Sequence, residues 1–224
     1  MKKIVIVLAI MSFWTNSVQA QKNEEPGLHK VELGVRLMPT FSAFKMTNSS
    51  GGEVATQVTL GYGIGGMIGY NITKNVGIQA EVIYNSLSQK FKDESYNRQI
   101  NVKYVNIPLM ISLNTNKAKA INFNMVLGPQ LGLNLGSSVT TSGGSSDTLT
   151  TVWQAKQSDF GFAYGAGLEF MVNPAHTLRL GIGYRGVYGF VNISEAAQST
   201  SNTYTIQKAN VKTNSAYLGI AFLF

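Results

Sequence analysis

Residues 214–224 read N-S-A-Y-L-G-I-A-F-L-F and decide the fold of this chain. Every second residue of this stretch is apolar, and these residues are Ala216, Leu218, Ile220, Phe222 and Phe224. A strict period of two indicates a β-strand whose alternate side chains share one face. In water, a strand this apolar would leave an exposed edge that invites aggregation. In a bilayer, closure of a barrel removes the edge and lipid covers the apolar face, so the stretch favours a transmembrane β-barrel.

The N-terminal residues have the features of an export signal. Lys2 and Lys3 supply a positive start, residues 4–13 form an apolar run too short to span a bilayer, and residues 18–20 (V-Q-A) resemble a cleavage site. A membrane-anchoring helix is the alternative interpretation. We therefore divide the chain into a signal peptide (1–20), a periplasmic lead-in (21–30) and an outer-membrane β-barrel (31–224).

The composition is unlike that of a soluble domain. Charged residues make up 13% of the chain, against about 25% in typical soluble domains. The 23 glycines are too many for a helical bundle, and no apolar run after the signal is long enough for a transmembrane helix. The basic residues are scattered, so nucleic acid is not an expected partner. The lack of cysteine excludes a disulfide framework, a lipoprotein anchor and a thiol or Cys–zinc site.

Alternation of apolar with small or polar residues predicts eight strands. They are Val31–Lys45, Thr56–Ile72, Val76–Phe91, Arg98–Asn114, Ala120–Gly136, Ser158–Val172, Thr177–Val191 and Asn214–Phe224. Their connections are alternately long and short, which is typical of bacterial outer-membrane proteins. The predicted fold class is all-β: an eight-stranded antiparallel up-and-down transmembrane β-barrel with both termini in the periplasm. Because Ile100, Val102 and Tyr104 lie in the opposite phase from residues 105–113, we also expect a β-bulge near Lys103.

The two faces of the strands show which side of the barrel meets lipid. A soluble lipocalin-like barrel, the alternative, would turn its apolar face inward and need a solvent-facing coat rich in charged residues. The non-apolar face here is mostly Gly, Asn, Gln and Ser, which suits a narrow lumen better. Lysines lie near the long-loop rim, where they can reach the headgroups: Lys45, Lys90, Lys103, Lys156 and Lys212. Aromatic residues at strand ends fit membrane-interface girdles: Tyr70, Tyr84, Phe170, Tyr188 and Phe224.

Charged residues within the strands all fall on the Gly-rich, lumenal face. They are Glu32, Arg36, Glu81, Asp159, Glu169, Arg179 and Arg185. Counting back from the turn at residues 173–176 places Glu169 opposite Arg179. An unpaired charge in a narrow lumen is far more costly than a paired one, so we predict a hydrogen-bonded plug. A gated or selective ion path is the alternative, although eight strands leave little room for a pore.

Several segments resemble the PorT-like outer-membrane β-barrel family of Bacteroidota, which is related in architecture to the OmpX and OmpA barrels. They are I-Q-A-E-V-I-Y-N-S (78–86), Y-V-N-I-P-L (104–109), L-G-P-Q-L-G (127–132), D-F-G-F-A-Y-G-A-G (159–167), G-Y-R-G-V-Y-G (183–189) and Y-L-G-I-A-F-L-F (217–224). The resemblance covers most of the mature chain. It implies insertion by the barrel-assembly machinery, which reads an aromatic C-terminal strand. The residues that would carry this signal are Leu218, Ile220, Phe222 and Phe224. Some members of the family serve type IX secretion or gliding.

No catalytic, cofactor or metal site is predicted. A hydrolytic site needs a base near its nucleophile, yet the two histidines, His29 and His176, lie in the lead-in and in a periplasmic turn. The glycines of residues 61–66 follow the strand period and not the strand-to-helix turn of a phosphate-binding loop. The long polar loops 137–157 and 192–210 either shield the surface or bind an envelope partner through Trp153 and Tyr204.

The sequence thus predicts a non-enzymatic barrel in contact with outer-membrane lipids, with a lumen filled by side chains. Its expected role is structural, or that of a subunit in an envelope complex, including one that serves secretion. The first alternative is a small outer-membrane channel. The second is an adhesin that acts through its loops.

Overall fold

The computed structural model describes residues 28–48, 56–93, 96–142, 154–173, 177–195 and 206–224. The predicted signal peptide, Trp153, His176 and Tyr204 lie outside these ranges. The described residues contain eight long strands: β1 (Val31–Ser42), β2 (Thr59–Asn71), β3 (Val76–Asp93), β4 (Tyr96–Asn114), β5 (Ile121–Ser142), β6 (Ser158–Met171), β7 (Leu178–Gly189) and β8 (Lys212–Leu223). None of the described segments forms a helix long and apolar enough to cross a membrane.

The eight strands close into a single antiparallel barrel. Each strand pairs with its neighbours in sequence, and β1 pairs with β8, with Val35 opposite Ile220. The seam is closed by backbone hydrogen bonds, including one from the Val31 amide to the Phe224 carbonyl at 3.1 Å. Every long strand therefore has a partner on both sides, which removes the sheet edge. The predicted all-β, eight-stranded up-and-down barrel is confirmed.

The apolar face of the strands points outward. Leu109 is 55% exposed and Ile220 is 43% exposed, and the other large apolar residues of the same phase are exposed or half-exposed. The soluble alternative requires these side chains inside and does not fit. An apolar exterior of this extent is stable only when lipid covers it.

The barrel is taller on the long-loop side than the sequence predicts. Strand β5 continues to Ser142, so residues 137–142 of the predicted loop 137–157 are strand. Short strands continue the wall in other connections: Gln154–Ala155 pairs with Ser194–Glu195, and Lys45–Asn48 pairs with Ile206–Asn210. Thr56–Gln57 pairs with β3. The prediction that residues 192–210 form a loop is also wrong in part, because two of these short strands, Ser194–Glu195 and Ile206–Asn210, lie within it. The described outward side chains of these short strands, such as Lys45, Glu195 and Lys208, are polar. Their sequence therefore lacks the apolar alternation that marks a membrane strand.

An irregularity lies at Lys103, as predicted, but the extra residue is on the neighbouring strand. Lys103 pairs with Gly136 and Tyr104 pairs with Asn134, which leaves Leu135 of β5 between them. The burial of β4 keeps one phase along its length, with even-numbered residues inside. The change of apolar phase that suggested the bulge has a different cause: on the long-loop side the apolar side chains of β4 point into the barrel.

The interior accordingly has two zones. Towards the short turns it is polar and charged. Towards the long loops it contains an apolar cluster, which we call the upper cluster: Phe44, Met46, Leu87, Phe91, Ile100, Val102, Tyr104, Ala155, Ile193, Ala209 and Val211. Between the two zones lies a small apolar group of Met110, Val126, Ala163 and Val187.

Candidate functional site

Several charged residues of the lumen lie opposite glycine on an adjacent strand. Arg36 lies between Gly65 of β2 and Gly219 of β8. Arg185 faces Gly165, and Glu169 faces Gly181. A narrow barrel cannot hold large side chains at every inward position. The lumenal glycines therefore provide the room in which the long charged side chains extend across the barrel.

Glu81 is the centre of the first ion cluster. Its carboxylate accepts two hydrogen bonds from the Arg185 guanidinium, both at 3.0 Å, and lies 3.1 Å from Nη1 of Arg36. Gln79 donates a further hydrogen bond at 2.6 Å. The Arg36 guanidinium lies over the Tyr217 ring, 4.4 Å from its centroid. One carboxylate thus faces two guanidinium groups, and the aromatic face offsets part of the excess positive charge.

A second ion cluster lies nearer the short turns and is electrically balanced. Lys117 Nζ lies 3.0 Å from Oε2 of Glu32 and 2.9 Å from Oε2 of Glu169. Arg179 Nη1 lies 3.0 Å from Glu32 and 3.5 Å from Glu169. Asn122 also donates to Glu169, at 2.8 Å. Two carboxylates and two cations therefore cross the lumen as one paired group.

The space left between these side chains is small. A cavity of about 20 Å³ lies beside Arg36, Arg179 and Tyr217. That volume suits a single water molecule. Between these described side chains of the two clusters there is thus room for little more than one water molecule.

The structure brings together six of the seven predicted lumenal charges, and Asp159 does not join them. Asp159 is buried near the long-loop end, and among the described residues it forms no ion pair. The predicted register also needs correction. Glu169 lies opposite Gly181, and Arg179 lies opposite Met171, so Glu169 and Arg179 meet diagonally across the strands. The observed register of β6 against β7 is shifted by two residues from the one obtained by counting back from the turn.

Sequence reasoning missed Lys117 because it lies in the predicted turn 115–119. The turn folds over the barrel mouth, and Lys117 is only 3% exposed. Its backbone carbonyl accepts a hydrogen bond from Arg179, and its amide donates to the carbonyl of Lys74 at 2.8 Å. The sequence did contain one indication of a missing cation. The predicted network had four carboxylates but only three guanidinium groups.

The predicted C-terminal signal residues lie on the outer face of β8. Leu218, Ile220, Phe222 and Phe224 are exposed, and β8 is held between β1 and β7. Their recognition by the assembly machinery stays a prediction. As for other chemistry, no group of three or more His, Cys, Asp or Glu side chains placed to hold a metal occurs among the residues described.

Comparisons with known proteins agree with this architecture. The family model described as "Outer membrane protein beta-barrel domain" matches residues 19–195. No curated protein sequence matches the chain significantly. Among solved structures, the outer membrane protein OprG from Pseudomonas aeruginosa is similar with a TM-score of 0.59, at 12% identity over 90% of this chain and 99% of that chain. Neisserial surface protein A is similar with a TM-score of 0.45, at 17% identity over 87% of this chain and 97% of that chain.

Proposed function

The chain belongs to the outer membrane protein β-barrel domain family, and we propose that it is a closed, non-enzymatic member that supports envelope structure or serves as a subunit of an envelope complex. It is an outer-membrane β-barrel protein. The observation that supports a closed, non-enzymatic role is the filled lumen. The two ion clusters and the upper cluster follow one another along the barrel axis.

Opening such a lumen would require breaking paired, buried charges. Glu81 is 1% exposed and Arg185 is 2% exposed. Leaving one partner of a buried ion pair without its counter-charge typically costs about 3–5 kcal/mol. A solute path would also have to pass the tightly buried side chains of the upper cluster. These barriers support a static lumen over the alternative of a channel.

We place the end of the barrel with the short turns in the periplasm. The strand β1 starts and the strand β8 ends at this side, next to the connections 72–75 and 172–177. Bacterial outer-membrane barrels have short periplasmic turns and long extracellular loops. On this orientation, Lys117 closes the periplasmic mouth, and the upper cluster lies towards the cell exterior.

Planar-bilayer recording tests the closed lumen. We expect the purified wild-type barrel to show no stable single-channel steps. Lys117→Ala removes the cation that spans Glu32 and Glu169 and should raise the frequency of brief openings. Lys119→Ala is the matched control, because Lys119 belongs to the same turn but is exposed. Stable steps in the wild-type protein that vanish with Arg185→Ala would contradict the proposal.

Pull-down from native membranes separates a complex subunit from a stand-alone structural barrel. A subunit should co-purify with the same envelope partner in fixed proportion across several mild detergents. Removal of residues 143–151, which follow the end of β5, tests whether that partner, or a surface ligand as in the adhesin alternative, binds through the long loop. Loss of binding on deletion would locate the contact there.

A further inference from the structure

The two ion clusters of the lumen carry one more positive charge than negative charge. The first cluster has two guanidinium groups, Arg36 and Arg185, and one carboxylate, Glu81. The second cluster has two cations and two carboxylates. Each of these three carboxylates contacts two cations, so all three carry their charge. The described residues of the two clusters therefore leave one positive charge without a counter-charge.

The other described groups in the lumen do not neutralise this charge. Towards the long loops, the described buried charged groups are Arg98 and Asp159, one of each sign. The small apolar group around Met110 lies between them and the first ion cluster. Tyr217 offers Arg36 the face of its ring but no net charge. An uncompensated charge in a narrow lumen is costly, so this zone favours an additional anion.

The hydrogen bonds of the clusters are unbalanced in the same direction. Nε of Arg36, of Arg179 and of Arg185 is buried and forms no hydrogen bond with any described residue. Nη1 of Arg36 lies close to Glu81 but is not aligned for a hydrogen bond. In contrast, every carboxylate oxygen of the two clusters accepts at least one hydrogen bond. Because a buried donor without an acceptor is costly, the clusters need an acceptor and not a further donor.

A cavity borders two of these guanidinium groups. The space of about 20 Å³ described above is lined by Arg36 and Arg179, and also by Gly181 and Gly219, which pair with each other on β7 and β8. A Cβ at Gly219 would be 3.8 Å from Nε of Arg36. A Cβ at Gly181 would be 3.8 Å from its nearest neighbour, the Tyr217 ring. The two glycines therefore leave room for a small ligand close to a donor that lacks an acceptor.

Two carboxylates, those of Glu32 and Glu169, also border this cavity. Their oxygens lie 2.9–3.5 Å from the nitrogen atoms of Lys117 and Arg179, so both negative charges are already matched. The part of Glu169 nearest to Gly181 is its Cγ, 3.9 Å from the position of a Cβ there. The cavity wall beside Gly181 is thus a methylene group and not a carboxylate oxygen.

We propose that this cavity binds one monatomic anion of the halide class, with Arg36 and Arg179 as its hydrogen-bond donors. The ion supplies the missing negative charge and the missing acceptor together. A halide is only slightly larger than a water molecule, whereas a polyatomic anion exceeds the cavity. Charge-assisted hydrogen bonds from a guanidinium favour the ion over a neutral water molecule. The site goes beyond the structural role proposed above and does not depend on it, because a channel with this lumen would bind the same ion.

Equilibrium folding tests the site, because a ligand that binds only the folded state raises the folding constant with its concentration. Urea unfolding is measured in phosphatidylcholine vesicles at fixed ionic strength, while chloride replaces gluconate, whose anion is too large for the cavity. Above the dissociation constant, we expect the folding constant of the wild type to rise about tenfold for each tenfold increase in chloride. Gly181→Ala puts a methyl group in the cavity without a close contact and should remove this dependence. Gly66→Ala, the control, adds the same group on the lipid face and should respond like the wild type.

Two results of the folding experiment would overturn the proposal. An equal response of the wild type and Gly181→Ala would indicate a general effect of the salt. No response of the wild type would show that the cavity holds water only. Heat-dependent gel migration checks that each variant folds.

Diffraction from wild-type crystals in sodium bromide gives a test that needs no variant. We expect an anomalous peak between Arg36 and Gly181. Peaks at exposed lysines alone would indicate an adventitious ion only and would also overturn the proposal.

Discussion

The two halves of this barrel share one set of strands but have opposite interiors. On β4, Leu109 and Ile111 face outward to lipid, while Ile100 and Val102 of the same strand are fully buried inside. The half near the short turns is filled with ions and amides, whereas apolar side chains predominate in the half near the long loops, with Gln89, Arg98 and Asp159 also buried there. The change occurs where the exterior changes from lipid to water. The medium outside therefore decides which face of a strand is apolar.

The largest expected effect comes from removing the shared carboxylate of the first ion cluster. Glu81→Ala leaves Arg36 and Arg185 buried without their anion, and we expect it to lower the free energy of unfolding by about 3–5 kcal/mol. Urea unfolding in phosphatidylcholine vesicles measures the change. Glu195→Ala is the control, because that carboxylate is exposed and its loss should cost less than about 0.5 kcal/mol. A similar cost for both changes would show that the lumenal pairing does not stabilise the barrel.

Replacement of leucine by alanine should lower the free energy of unfolding by different amounts inside the barrel and on its lipid face. Leu87 is 1% exposed inside the upper cluster, and Leu109 is 55% exposed on the lipid face. Leu87→Ala opens a cavity and should cost about 2–5 kcal/mol. Leu109→Ala loses only part of the transfer free energy, because lipid fills the space, and should cost about 1–2 kcal/mol. Equal costs in the same unfolding assay would mean that the upper cluster is not packed as a core.

A smaller effect should distinguish lumenal glycines from outward ones. A Cβ at Gly167 would collide with the Tyr217 hydroxyl and lie 2.8 Å from the Ile182 carbonyl. Gly167→Ala should therefore displace Tyr217 from Arg36 and cost about 1–3 kcal/mol. Gly66→Ala meets only the Gly34 carbonyl at 3.7 Å, so its unfolding free energy should be almost unchanged. If Gly66→Ala were the more destabilising change, the assignment of the two faces would be wrong.

Much of the fold could be predicted because the alternation of apolar residues along a strand identifies its outward face directly. Strand β8, with Ile220, and strand β4, with Leu109, both show this alternation. Each begins and ends close to its predicted bounds. The height of the barrel could not be predicted in the same way. In residues 137–142 the described outward side chains, Ser138 and Thr140, are polar. The sequence is therefore that of a loop even though the backbone of these residues pairs with β4.

The lumenal site was only partly predictable for a related reason. Inward direction follows from alternation, which places Glu81 and Arg185 in the lumen. Which inward charges meet depends on strand register and on turn conformation. Register sets Glu169 against Gly181, and the fold of a turn carries Lys117 into the lumen. Neither property is encoded in the period of the strands.

Labelling along β4 tests the change of polarity most directly. The natural chain has no cysteine, so single cysteines at Val102, Lys103 and Leu109 can each carry a spin label in the vesicle-reconstituted barrel. We predict that the label at Leu109 is relaxed by lipid-soluble oxygen, that the label at Lys103 is relaxed by a water-soluble nickel chelate, and that position 102 is shielded from both. A label at Leu109 that is shielded from oxygen, or one at position 102 as accessible as that at Lys103, would contradict the account.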